Sequence, residues 1–330
     1  MADYRTNLFR KPFVMPVLIA LVGLLAYANT FTVPFQFDDD AYIVNNPVIR
    51  TFHYFAAPGD IRDLTERTPT AVPPALRYAF TTRMLGYLTF AVNYRLHGLD
   101  VAGYHAVNLA IHILNGIFVF LILQATLGTV VPGKAERGVS AAEFIAGLVA
   151  LIFVSHPVQT QAVTYISQRF ASLAALFYLL SFLLYIRFTR SGRWRKVVYA
   201  GSLASAAAAM LTKEFTITLP VMLALYDFTF LPESRGDRIR RLAPFAALLT
   251  IIPALVFLQQ GSLQSLDSTM RTITAADSSG IPRSHYLLTQ FRVLALYLRL
   301  LIIPVGQNVD HDVPVYTSLF APPVLFSFLL

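Results

Sequence analysis

Cysteine is absent from this chain of 330 residues, which excludes a disulfide framework, a thiolate nucleophile and any Cys-ligated metal. Charge is scarce as well. Only 13% of the residues are Asp, Glu, Lys or Arg while 56% are hydrophobic, and a soluble protein carries roughly a quarter charged residues. With a mean hydropathy of +0.58, the chain reads as an integral membrane protein. A Walker loop, a Gly-rich dinucleotide fingerprint and a His-Glu-x-x-His zinc motif are all missing. No period of roughly 20–50 residues marks a repeat array. The net charge of +8 does not indicate a nucleic-acid partner, because the basic residues gather in short segments between apolar runs. That is the distribution the positive-inside bias produces.

Long apolar runs are what the chain does have. A helix crossing a bilayer core needs about 20 predominantly apolar residues. Runs at 13–31, 104–127, 141–154, 171–188, 197–211, 215–230 and 242–258 are read as seven spans. The first, preceded by Arg5, Arg10 and Lys11, also resembles a signal peptide with Ala26-Tyr27-Ala28 as a cleavage site. Its length and the acidic motif close behind it favour an uncleaved anchor. Residues 33–83 are polar and Pro-rich, too long for a turn, and are expected to form an ordered extramembrane loop with short helices. Residues 83–98 read as an interfacial helix, so the first loop extends over 33–103. A second large loop is expected at 259–284, and the run at 286–304, interrupted by Gln290, Arg292 and Arg299, reads as an interfacial helix with a full crossing as the alternative. The fold class is therefore an all-α polytopic membrane protein, organised as a single domain over 1–330. A fresh apolar run reaches Leu330 without a polar flank, from which further transmembrane helices are expected beyond it.

If the basic N-terminus is cytoplasmic, alternation puts Lys134, Arg137 and the clusters at 187–196 and 235–241 on the same side. The opposite face then receives the Asp38 motif, His156, Arg169, Lys213, Glu214 and the 259–284 loop. None of these residues entered the assignment of sides, so their convergence points to one extracytoplasmic site.

Phe37-Asp38-Asp39-Asp40 stands a few residues past the first apolar run, and charge near membrane depth is costly enough to be kept for function. A carboxylate at a low-dielectric boundary beside a second carboxylate has its pKa raised, which suits a general base for a hydroxyl. Asp38 and Asp39 are the candidate catalytic residues, and Asp40 reads as a helix cap. Lys213 is a candidate for an anionic lipid phosphate. Adjacent helical residues do not face each other, so Glu214 is expected to orient Lys213 or contact the acceptor through a partner of its own. Arg169 offers a planar fork suited to phosphate. His156, before Pro157, is an acceptor-contacting or orienting residue, or a cap for the helix end. His105, Asn108 and His112 read as satisfied interior residues of the bundle. Asp310-His311-Asp312 is spaced too tightly for a metal cage, and no metal site is expected.

Phe35-Gln36-Phe37-Asp38-Asp39 with Ile43 and Asn46-Pro47, then His156-Pro157 with Ala162-Val163 and Arg169, then Lys213-Glu214 with Thr218 and Tyr226-Asp227, form an ordered series. It resembles the membrane module of the transmembrane and tetratricopeptide-repeat O-mannosyltransferases and their bacterial relatives, within the GT-C class of polyprenyl-phosphate-sugar glycosyltransferases. The resemblance implies a GT-C type transmembrane helix bundle with short interfacial helices in its long first extracytoplasmic loop. It implies an acidic pair acting at the acceptor hydroxyl, with Asp38 matching its first member and Asp39 its second. It also implies a sugar, mannose or another hexose, carried on a polyprenyl phosphate and transferred with inversion to a protein Ser/Thr or glycan hydroxyl. No cofactor or divalent metal is implied. A tetratricopeptide-repeat domain often follows the membrane module in this family, and the implied setting is the inner membrane of a prokaryote with the site facing outward. Two rivals are weighed. A secondary transporter or channel would place ionisable residues near the midplane or break helices in symmetry-related halves, whereas the charges here gather at one face. An oligosaccharide transferase with a lipid-pyrophosphate donor would call for a stronger metal site.

Overall fold

A computed structural model describes residues 13–67, 74–130, 140–190, 192–231, 235–260 and 280–330, and their regular structure is entirely helical. The expected loop at 259–284 lies almost wholly outside the described residues. The chain divides into two compact units, 1–255 and 256–330.

The first unit opens with α1 (Val14–Ala26) and then the 33–103 segment, whose described residues form short helices. It holds α2 (His53–Ala56), α3 (Ile61–Arg67), α4 (Pro74–Thr82) and α5 (Met84–His97). Next come α6 (Val101–Val130), α7 (Ala141–Ser155), the short α8 (Thr160–Thr164) and α9 (Arg169–Arg190). The antiparallel α10 (Arg195–Met210) precedes α11 (Leu219–Phe230), α12 (Arg235–Ala247) and α13 (Ile251–Gln260), the last carrying the division between units. The second unit contains α14 (Arg283–Ile302) and α15 (Pro322–Leu329), joined by an edge contact of Phe291 with Phe328 at 5.1 Å.

Two described helices, Val101–Val130 and Ile166–Thr189, are long and apolar enough to cross a membrane. A third crossing arises if α7 and residues 157–164, bent by 49°, count as one span. This is an all-α membrane protein. Seven spans were expected from the apolar runs. Helices do form in all of those runs, but α1, α10, α11 and α13, with 13, 16, 12 and 10 residues, fall short of a full crossing by length. The 286–304 run forms α14, which is not among the candidate spans and carries Gln290, Arg292 and Arg299.

Local sequence explains the joints. Ser140 caps α7 by accepting from the Glu143 N–H at 3.2 Å, one half of a capping box. Pro157 ends α7, since a residue before proline is pushed out of the helical region; His156 there is extended, with φ −66° and ψ 128°. The Ala, Gly and Ser of α10 let it lie close against α9. Ser181 and Ser202 exchange hydroxyl-to-carbonyl hydrogen bonds of 2.8 and 2.7 Å across that contact. The polar stripe of α6 is buried, and its side-chain donors are taken up by neighbouring carbonyls, as expected for an interior face. His112 Nε2 donates to the Val154 carbonyl at 3.0 Å, and the Asn115 amide donates to Ser172 at 2.9 Å.

The 33–103 segment is no detached loop. Ile43, Val48, Ile49, Phe80, Tyr87 and Phe90 share one apolar core with Tyr104 of α6 and Phe170 of α9. Gly86 permits the closest approach: a Cβ there would stand 2.3 Å from the Phe170 ring. The expected interfacial helix at 83–98 therefore exists as α5, but one face of it is buried rather than laid on a surface.

Candidate active site

The turn after α1 is held from both sides. Thr30 donates to Thr164 at 3.0 Å, and His105 Nε2 donates to the Val33 carbonyl at 2.8 Å, which fixes the exit of α1 against α6 and α8. Phe37 then adopts φ +48°, a left-handed conformation uncommon for a bulky residue and a mark of local strain. What holds it is Asp39. One carboxylate oxygen accepts from the Gln36 N–H at 3.0 Å, and the other accepts from the Ser167 N–H at 2.7 Å, at the threshold of α9. Asp39 is only 1% exposed. Burial pushes its carboxyl above the usual carboxylate range, the hydrogen bonds from Gln36 and Ser167 pulling the other way. Asp38, one residue earlier, is exposed. Its backbone N–H donates to the Tyr165 hydroxyl at 3.1 Å. Asp40 was expected as a cap, but it is the first residue of the next helical turn rather than its cap, and its exposed carboxylate accepts from the Asn45 side-chain amide at 3.0 Å. Asn46 then closes that turn, its side-chain oxygen taking the Val48 N–H at 2.9 Å across Pro47.

Lys213 and Glu214 follow the end of α10. Glu214 pairs with Arg83, which donates from Nε at 3.0 Å and from Nη2 at 3.3 Å. The Thr82 hydroxyl adds a third hydrogen bond at 3.3 Å, and the Leu85 N–H donates to the Leu211 carbonyl at 3.2 Å. These contacts pin the α4–α5 junction to the end of α10. Lys213 is half-buried, in an extended conformation. Burial lowers its pKa and the Arg83 charge lowers it further, against the opposing charges of Glu214 and Asp38. Tyr42 lies against Arg83 and feels both Asp38 and Glu214. Asp38, Lys213, Arg83 and Glu214 thus form one electrostatic group with Tyr42 at its edge.

Arg83 is the site residue that the sequence reading missed as such. It sits where α4 stops and α5 begins, with φ −125° and ψ 31°, and no spacing links it to Glu214 131 residues away. The available signal was indirect: Glu214 needed a partner that its own helix did not supply.

Two expected site residues lie elsewhere. Arg169 was expected at the donor phosphate, but its side chain is 0% exposed. Nε donates to Asn108 at 2.6 Å, Nη1 to Asn93 at 2.7 Å and Nη2 to the Tyr104 carbonyl at 2.9 Å, while the guanidinium covers the Phe90 ring at 4.4 Å. Its fork ties α5, α6 and α9 together and is spent on protein acceptors. His156 was expected to orient or contact the acceptor. The structure places it at the bend after α7, where Nδ1 accepts from the Val158 N–H at 3.2 Å and its carbonyl accepts from the Tyr27 hydroxyl at 3.3 Å. The ring thus caps the start of the turn that follows α7. Among the described residues no group of three or more His, Cys, Asp or Glu could hold a metal ion.

Chemically, the group offers one solvent-facing carboxylate, a half-buried ammonium and an anchored guanidinium. Such a set can take a proton and neutralise a nearby anion in one place.

No family model matches the chain, and no solved structure does. Curated proteins do. The chain is 30% identical over 226 residues to protein O-mannosyl-transferase TMTC4 of Mus musculus, a match covering 66% of this chain and 29% of that protein. It is 33% identical over 224 residues to protein O-mannosyl-transferase tmtc2 of Xenopus laevis, covering 65% and 24%. Protein O-mannosyl-transferase F38B6.6 of Caenorhabditis elegans is 24% identical over 308 residues, 92% of this chain and 40% of that protein. The chain spans less than half the length of each of these relatives. Over the matched stretch, the chain is a relative of the protein O-mannosyl-transferases.

Proposed function

We propose that this protein is an inverting glycosyltransferase that moves a hexose, mannose foremost, from a polyprenyl-phosphate carrier to a protein hydroxyl at the extracytoplasmic membrane face. The observation that carries the reading is the division of labour within the acidic pair. Asp39 is buried with both oxygens accepting backbone N–H groups, so within the acidic pair it is the exposed Asp38 that offers its carboxylate to substrate. A retaining displacement needs a second free carboxylate as nucleophile or acid; a single displacement needs only a base.

In the proposed step the Asp38 carboxylate takes the acceptor hydroxyl's proton as that oxygen bonds to the anomeric carbon. The bond from the anomeric carbon to the phosphate oxygen breaks, and the polyprenyl phosphate leaves with the electron pair. Its charge develops beside Lys213 and Arg83, where fixed cations in a partly desolvated setting are most effective. Glu214 holds Arg83 in place through two hydrogen bonds. The names of the relatives support mannose and a protein acceptor. The bias of basic loops toward the other face supports the extracytoplasmic side.

The test is to incubate membranes containing the protein with a panel of radiolabelled polyprenyl-phosphate sugars and follow label into protein. Transfer from polyprenyl-phosphate mannose that disappears in Asp38→Asn is the expected result. Transfer at the wild-type rate by Asp38→Asn, or label arriving only from a pyrophosphate-linked donor, overturns the reading.

A further inference from the structure

A second charged region lies at the far end of the α9–α10 pair. α10 has 16 residues, about 24 Å at 1.5 Å per residue, and it separates Lys213 from a cavity at its other end. The cavity has a volume of ≈ 540 Å³ and is lined by Phe188, Arg195, Tyr199, Asp237, Arg240 and Arg241. That is within the range of small-ligand sites, about 300–1,000 Å³.

The floor is rigid and already neutralised. Asp227, fully buried, accepts from Arg241 Nε at 2.7 Å and Nη2 at 2.8 Å. It also accepts from the Tyr185 hydroxyl and lies 3.4 Å from Arg238 Nε. Tyr199 ties the wall to the floor by donating to the Arg241 carbonyl at 2.7 Å. The rim is different. Arg195 and Arg240 are exposed, and no ion pair engages either of them among the described residues. Arg195 is steered by the Phe188 ring, 4.9 Å from its guanidinium carbon. Among the described lining residues Asp237 is the one carboxylate, against three arginines. Pro244 inside α12 cannot donate to the carbonyl four residues back, that of Arg240, so the helix ladder is interrupted at the cavity.

The surroundings point to a lipid. Trp194, the chain's single Trp, is exposed directly before Arg195, with Arg193 over its ring at 5.1 Å. Exposed Trp beside arginine is the pattern of a membrane–water boundary. Val197, one turn further into α10, is 62% exposed, as suits a residue facing acyl chains. Basic pockets between helices at such a boundary bind phosphate-bearing headgroups.

We infer that this cavity binds the phosphate of an anionic glycerophospholipid, held between Arg195 and Arg240 over the Asp227–Arg241 floor. The bound headgroup bridges the start of α10 to α12 and so braces the end of the bundle remote from Asp38.

Three probes test this on the detergent-purified protein: dioleoyl phosphatidylglycerol, dioleoyl phosphatidylcholine and inorganic phosphate. Each is titrated while the melting temperature is followed, since a ligand that binds the folded state raises it. Phosphatidylglycerol is expected to raise the melting temperature and phosphatidylcholine is not. Arg195→Gln with Arg240→Gln should need at least about tenfold more phosphatidylglycerol for the same rise, the scale of one charge-assisted contact. Arg195→Lys, which keeps the charge, should retain most of the response. If the double variant does not fold, each single variant carries the same comparison. A rise with inorganic phosphate to which the lipid adds nothing overturns the lipid as the source. Equal rises with both lipids, or an unchanged response in the arginine variants, overturns the pocket.

Discussion

Replacing Arg169 by methionine separates a structural clamp from a phosphate ligand. The guanidinium has three short hydrogen bonds, to Asn108 at 2.6 Å, Asn93 at 2.7 Å and Tyr104 at 2.9 Å. Methionine keeps much of the stem packing against Phe90 and leaves these three acceptors without their donor. A buried acceptor stripped of its donor costs about 1–3 kcal/mol. Against this, removing the charge recovers the several kcal/mol that burying an ion costs. The two effects oppose each other, and measured losses on breaking buried charged contacts fall at about 3–5 kcal/mol. For a protein stable by about 5–15 kcal/mol that is a large share, equivalent to roughly 4–7 °C in melting temperature for a chain of this length.

The assay is heating of the purified protein followed by size-exclusion of what remains folded, beside donor kinetics at a temperature where both forms are intact. Arg169→Met is expected to melt far below the wild type, and Arg169→Lys to fall nearly as far, because an ammonium cannot reach three acceptors in one plane. Once folded at low temperature, the methionine variant should show a donor Michaelis constant close to the wild type. A melting temperature within about 2 °C of the wild type, together with a donor constant raised tenfold or more, would refute the clamp and return Arg169 to the phosphate.

The remaining predictions concern the acidic pair, Lys213 and the membrane sides. Asp38→Asn should lower transfer by about 10²–10⁴-fold at unchanged melting temperature, whereas Asp39→Asn should lower both, since its oxygens hold the Phe37 turn; equal thermal losses in the two would contradict their division. Lys213 has a lowered pKa, so the protonated form that a phosphate needs is lost at a lower pH than for an ordinary lysine. Transfer should therefore fall on the alkaline side before the usual lysine range, and Lys213→Arg should push that fall upward; an alkaline limb unmoved by the arginine would count against Lys213 at the phosphate. In this Cys-free chain, Gly59→Cys should react with an impermeant thiol reagent applied from outside and Arg193→Cys should not; labelling of Arg193→Cys from outside would reverse the proposed sides.

Helix positions were largely legible because apolar runs and breakers are local. Ser140 with Glu143, and Pro157 behind His156, mark the two ends of α7 in the sequence, and both act there as their residue types require. The buried stripe of α6 was legible for the same reason: His105, Asn108 and His112 recur at helical spacing, and each finds a partner within the bundle. Span number was less legible. An apolar run records composition, while a crossing also needs uninterrupted helix. Thr212-Lys213, where the chain leaves the helical region between α10 and α11, divides a stretch whose apolar content suggests two complete crossings.

That Asp38, Lys213 and Glu214 come near one another was legible in the sequence; the different settings of the two acids and of Arg169 were not, and the reason is long-range geometry. Adjacent Asp38 and Asp39 are chemically alike in sequence. Their difference comes from a backbone N–H at Ser167, 128 residues away, and from a left-handed residue at Phe37 that composition gives no cause to expect. Arg169 misled for a related reason: an arginine at a helix start looks available, and only Asn93 and Asn108, on two other helices, show that its donors are taken. Arg83 was hidden by the converse, an arginine in an apparently interfacial stretch whose partner Glu214 lies far along the chain. Each error has the same sign. Sequence spacing assigns charged residues to the nearest plausible ligand, whereas burial lets a charge persist only where specific acceptors meet it. Arg169 meets protein acceptors on three of its nitrogens and is fully buried, while among the described residues no hydrogen bond or ion pair engages the half-buried Lys213 ammonium. The cation left incompletely satisfied by its own protein is the one with charge to offer a phosphate.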